Sequence, residues 1–174
     1  MWLPNGLVVG CEALFVPYAP DAAAVLFVAA ALGMLFGDLA TGRLIPPAHR
    51  WRFVTPLRFL LAVPYLLFLL PLSIPVAAAA AAVASVGFGS TLLLQERLLA
   101  LTDESIRGQA LGLHSTGMTA MQAVGATLAG LVAQQLPTGA AMTVMAMASL
   151  LVTISLTAGL RLSEPRTVKL AAVN

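Results

Sequence analysis

Few residues in this chain of 174 can do chemistry, and most of them interrupt long apolar runs. Glu12 stands near the middle of the run 2–18, beside Cys11. A charge at the centre of a bilayer costs at least about 2.5–3.5 kcal/mol. A carboxyl there reads in two ways: as a proton-coupling or substrate-binding group, or as a structural glutamate kept protonated or hydrogen-bonded. In the run 110–136, His114 and Gln122 stand eight residues apart, which predicts a shared helix face, and Thr119 extends that polar stripe. Such a stripe suits hydrogen bonding to a polar solute. The plainer account is interhelical hydrogen bonding, typically worth about 0.6 kcal/mol in membranes. The third group is ionic. Asp38, Arg43, His49, Arg50 and Arg52 fall between two apolar runs, and Glu96, Arg97 and Arg107 fall around the next break but one.

Other chemistry is missing. No nucleophile–base arrangement, phosphate loop or metal-ligand set is present, so neither an enzyme nor a cofactor or metal is expected. Gly87-Phe88-Gly89-Ser90 lies inside an apolar run and reads as packing. The single cysteine, Cys11, cannot form a disulfide within the chain and reads as inert.

The elements that must position these groups follow from composition. The chain is 60% hydrophobic and 9% charged, where a soluble domain carries about 25% charged residues. It cannot cover a soluble surface, so the bilayer is its expected solvent. The runs are too long and too continuous for barrel strands, which predicts an all-α transmembrane bundle. Six spans are expected, at about 2–18, 23–39, 53–72, 76–94, 110–136 and 140–160, in one domain over 1–162 with a short tail at 163–174. Trp2 and Tyr18 read as interfacial aromatics.

Six spans put both termini on one side. Arg43, Arg50, Arg52 and Arg58 sit in or beside the break after span two, Arg97 and Arg107 flank the one after span four, and Arg161, Arg166 and Lys169 follow span six. The breaks around Asp21, Ser73 and Pro137 hold no cation. The positive-inside rule then makes both termini cytoplasmic. The cations form no single basic face, so nucleic acid is not an expected partner. Four small-residue pairs at a spacing of four, Gly6/Gly10, Gly33/Gly37, Gly108/Gly112 and Ala126/Gly130, are candidates for close helix contact.

The stretch GMLFGDLATGR carries Gly33, Asp38, Gly42 and Arg43 and resembles, imperfectly, the signature joining the second and third helices of each half in the major facilitator superfamily. Gly33 is one residue too far from Asp38, and Leu39 stands where that family usually has a basic residue. Arg107-Gly108, entering span five, is a second point of similarity. The resemblance covers nearly the whole chain and suggests a C-terminal six-helix half, with spans one to three related to four to six as an inverted 3+3 repeat. It implies a plasma (inner) membrane carrier that moves a small solute by alternating access, with proton-coupled efflux as one form of it. Spans one, two, four and five would line the cavity and three and six would face lipid, with Arg58 snorkelling from span three. Asp38 and Arg43 would form a gate, with Glu96, Arg97, Arg107 and Gly108 as its counterpart. The abrupt start at Met1 fits a chain lacking its first half. The expected partners are the bilayer, the solute, and an N-terminal six-helix half or a second copy. The alternative expectation is a non-transporting six-helix membrane protein or an inactive truncated product.

Overall fold

The structure, a computed structural model, describes residues 2–46 and 49–162, with side chains through Thr157. The tail at 163–174, with Arg166 and Lys169, and the side chain of Arg161 lie outside the described residues. No strand occurs among the described residues. The helices are α1 (Trp2–Ala13), α2 (Phe15–Tyr18), α3 (Ala23–Arg43), α4 (Arg50–Ala62), α5 (Ile74–Val86), α6 (Gly89–Ala100), α7 (Arg107–Ala133) and α8 (Thr138–Leu162). A 3₁₀ segment, Val63–Leu69, continues α4, and a 3₁₀ turn, Glu104–Ile106, leads into α7.

Five helical stretches are long and apolar enough to cross a membrane: Ala23–Arg43, Arg50–Leu69, Ile74–Ala100, Glu104–Ala133 and Thr138–Thr157. The run 2–18, expected to be continuous, is interrupted at Leu14. Pro17 explains the break: it has no N–H for the Ala13 carbonyl, and its ring crowds that carbonyl. The Leu14 N–H turns instead to the Cys11 carbonyl, at 3.1 Å. The 12 residues of α1 make only about 18 Å of helix.

Helix ends do not follow the ends of the apolar runs. α3 continues past residue 39 to Arg43, so Asp38, Gly42 and Arg43 lie on a helix and the connection shrinks to 44–49. Pro46 stops it, because a residue before proline avoids the helical conformation. α6 continues to Ala100 and includes Gln95, Glu96 and Arg97. Pro56 is accommodated inside α4, whereas Pro64 coincides with the change from α-helix to 3₁₀.

Two close helix pairs organise the bundle. α1 packs along α7, and α3 packs along α5. Gly6 and Gly10 face the backbones of Met121 and Gly125, and Gly33 and Gly37 face those of Ala82 and Val86, so two of the four expected small-residue pairs lie at contacts. Gly108, Gly112 and Gly130 face open space. Span five uses Gly125 and the buried Ala129 instead. α8 covers the other side of α1 and meets the 3₁₀ segment. Gly87 lies on α4 at Leu57 and Leu61, and Gly89 on α3 at Gly37 and Thr41, which is the packing role expected of that glycine cluster. Phe15, Tyr65 and Phe68 form a buried aromatic core near the Asp21 end, with Tyr18 edge-on to Phe68 at 5.1 Å. The outward face of α3 exposes Val28, Leu32, Leu35 and Phe36, a surface suited to lipid.

Candidate functional site

The break after α1 leaves Glu12 near the end of a mostly buried helix. Val8, Cys11 and Phe15 are fully buried around it. Ser85, from the alanine-rich α5, and Tyr65, from the 3₁₀ segment, are fully buried and lie beside the Glu12 carboxyl. Glu12 Oε1, Ser85 Oγ and Tyr65 OH are all shut off from solvent, and none meets hydrogen-bond geometry with a partner among the described residues. Polar atoms in such surroundings are costly unless they are satisfied. Three elements thus converge on one polar cluster in which Ser85 lies between Glu12 and Tyr65, close to both without full hydrogen-bond geometry, and no basic side chain among the described residues acts on the carboxyl. A carboxyl and two hydroxyls can exchange a proton or hydrogen-bond a polar solute. They offer no nucleophile–base pair, and no group of three metal-ligating side chains occurs among the described residues.

His114 does not join Thr119 and Gln122 on one polar face. Eight residues are two turns plus about 80°, and that rotation separates them. His114 is buried against α1, where its Nδ1 accepts a 2.9 Å hydrogen bond from the Trp2 indole N–H. Thr119 is exposed and donates to the Ser115 carbonyl of its own helix, and Gln122 is half-buried. Trp2, half-buried, thus packs on α7 at His114 and Gly117. Arg58, expected to snorkel, is buried on α4, with Nη2 unpartnered among the described residues, because α4 packs against both α5 and α6.

The ionic residues meet in a different combination from the one the sequence suggested. Asp38 and Arg43 are both exposed and form no ion pair among the described residues. Arg50 takes the central place. Its Nη1 lies 2.6 Å from Glu96 Oε1, its Nε donates to the Ile45 carbonyl at 3.1 Å, and its Nη2 donates to the Gly42 carbonyl at 3.3 Å. The Arg97 guanidinium sits 3.9 Å above the Trp51 ring. The α3–α4 connection is thereby clamped to the C-terminal end of α6. Arg107 only approaches Glu104, at 3.9 Å, and Gly108 is exposed. Gly33 serves the α3–α5 contact.

Sequence inspection missed Tyr65, Ser85 and Trp51 as site residues and named Arg50 in the ionic group without giving it the central place. Tyr65 and Ser85 did carry a signal, as lone hydroxyls within apolar runs. Comparison with family models, with curated proteins and with solved structures found no match for this chain.

Proposed function

We propose that this chain is a six-span half of a major facilitator superfamily carrier, moving a small solute across the plasma membrane by alternating access. The pairing of its helices carries this proposal. Span one packs on spans five and six, span two on span four, span three on spans four and six. Exchanging spans one, two and three for four, five and six turns the one–five pair into four–two, the one–six pair into four–three, and three–six into itself. An inverted 3+3 repeat has that property for these pairs, while the smaller five–six contact has no two–three counterpart of its size. On this reading the broken α1–α2 stretch crosses as span one and completes six, both termini are cytoplasmic, and the Arg50–Glu96 clamp lies on the cytoplasmic side.

Two further observations support a carrier half rather than an enzyme. The Glu12–Ser85–Tyr65 cluster supplies a proton-coupling or solute-binding station in the interior. The outward side of α7 displays Ser115, Thr116, Thr119 and Thr127, all exposed, which lipid would solvate poorly and a second half or a water-filled cavity would suit. One wall of a cavity cannot enclose a solute, so transport requires a complementary six-helix half or a second copy.

The experiment is cysteine labelling from each side of proteoliposomes in a Cys11→Ser background. Cysteines at Leu3, Leu44 and Leu101 should label from one side, and those at Asp21 and Ser73 from the other. Labelling of Leu3 from the same side as Asp21 would remove the six-span topology. Loss of proton-coupled uptake in Glu12→Gln, measured with the complementary half present, assigns the coupling role, and unchanged uptake withdraws it.

A further inference from the structure

The three oxygens of the interior cluster stand where the helical backbone of a span loses its regularity. Glu12 is the last residue but one of α1, just before the break at Leu14, whose N–H reaches back three residues to the Cys11 carbonyl. Ser85 is the last but one of α5, just before the break at Gly87 and Phe88, whose N–H groups likewise reach back three, to Ala84 and Ser85. Tyr65 belongs to the 3₁₀ segment that follows α4 in span three. Irregular backbone at membrane depth is tolerated where protein buries it, and the ion sites of carriers are built at such breaks.

The cluster carries one negative charge, that of Glu12, with no basic side chain among the described residues acting on it. Glu12 Oε1, Ser85 Oγ and Tyr65 OH lie close together without hydrogen-bond geometry, an arrangement that suits a shared centre better than a bonded chain. All three atoms are closed to a water molecule. A buried water, the common partner of such groups, therefore does not fit, and whatever joins them is smaller. Glu12 as a whole is half-buried, so the cluster lies one side chain from the protein surface.

We infer that Glu12, Ser85 and Tyr65 bind a dehydrated sodium ion. The Ala13 carbonyl, which Pro17 deprives of its helical N–H, is a backbone oxygen free to join them. Charge, size and ligand type select sodium. One carboxylate balances one positive charge, and a divalent ion would leave an excess buried. A bare sodium ion is smaller than a water molecule, whereas potassium is about as large as one. Carboxylate and hydroxyl oxygens suit a hard cation, and the described residues hold no imidazole, thiolate or carboxylate set for a transition metal. Protonating Glu12 instead puts three donors in a row through Ser85, and in either direction the last has no acceptor. The inference rests on the carrier reading for the ion's role as coupling species, while binding needs only the folded chain. Failure to bind sodium would leave the topology and the helix pairing standing, and a different topology from side-specific labelling would leave the site.

The test is thermal unfolding of the full chain in detergent, with sodium chloride exchanged for potassium or choline chloride at constant ionic strength. The midpoint should rise by about 3 °C for each tenfold of sodium once the site fills. Potassium and choline should give no rise. Glu12→Gln should lose the response. Ser85→Ala and Tyr65→Phe, which unfold with the parent chain when sodium is absent, should need about tenfold more sodium for the same rise. Ser149→Ala, whose hydroxyl is bonded to the Pro4 carbonyl, should respond as the parent does. Equilibrium binding of radioactive sodium to the parent chain should be stoichiometric, which keeps the test decisive where Glu12→Gln fails to fold. An equal rise in potassium or choline, an undiminished response in Glu12→Gln, or no retained radioactive sodium would overturn the proposal.

Discussion

The Gly6 carbonyl of α1 occupies the space where a side chain on Gly125 of α7 would lie, and a side chain on Gly6 would meet the Met121 carbonyl in turn. The two backbones are in direct contact, so dispersion and close approach hold this pair where lipid gives no hydrophobic drive. Gly125→Ala should therefore lower stability by about 1–3 kcal/mol, the usual cost of overpacking. Gly130→Ala and Gly112→Ala, which face open space, should be neutral or gain up to about 1 kcal/mol from helix propensity. Thermal unfolding in detergent separates the two outcomes.

The Arg50–Glu96 pair is partly exposed, with side chains at 23% and 55% of full accessibility. Its coupling energy in a double-mutant cycle should be no more than about 1 kcal/mol and should shrink with added salt. Arg50→Ala should cost more than Glu96→Ala, because Arg50 also donates to the carbonyls of Ile45 and Gly42. Lysine should not rescue it, since one ammonium cannot reproduce the guanidinium fork. Faster amide exchange at Leu44 and Ile45 in Arg50→Ala would confirm that the clamp orders this connection.

Trp2 and His114 should be coupled by about 0.5–1.5 kcal/mol, the net worth of one hydrogen bond. Trp2→Phe, His114→Leu and the double variant give that number from thermal unfolding. Strict additivity would show that the bond contributes nothing beyond packing.

Tyr65 and Ser85 should behave unlike Ser149. The hydroxyls of Tyr65 and Ser85 have no partner among the described residues, so Tyr65→Phe and Ser85→Ala should leave stability unchanged or slightly raised. Ser149→Ala removes a hydrogen bond to the Pro4 carbonyl and should cost about 1 kcal/mol. If the cluster works with Glu12 in transport, the first two variants lose activity while keeping the fold, and Ser149→Ala does the reverse.

The all-helical class was legible because a chain with 9% charged residues cannot dissolve its own surface in water. Gly6/Gly10 and Gly33/Gly37 were also legible, as glycines four apart. The same spacing at Gly108/Gly112 led nowhere, since spacing marks a possible contact face without saying which helix lies opposite. The polar stripe on span five failed for a geometrical reason. The five residues from His114 to Thr119 make one turn plus about 140°, enough to turn His114 onto α1 while Thr119 faces outward.

By itself the sequence determined solvent and local shape. Its apolar runs call for a bilayer, and its prolines set where helices stop, as at Pro46, or break, as Pro17 does after Ala13. Tertiary structure decided which polar groups meet. Glu12, Tyr65 and Ser85 are far apart in the chain and converge only because α5 and the 3₁₀ segment pack around the end of α1. Arg50 displaced Arg43 as the ionic centre because α3 runs on to Arg43, leaving that side chain exposed while Arg50 reaches Glu96. Local propensity acts along one segment at a time, whereas a site is made by side chains from several, and their meeting is fixed by which backbones can approach.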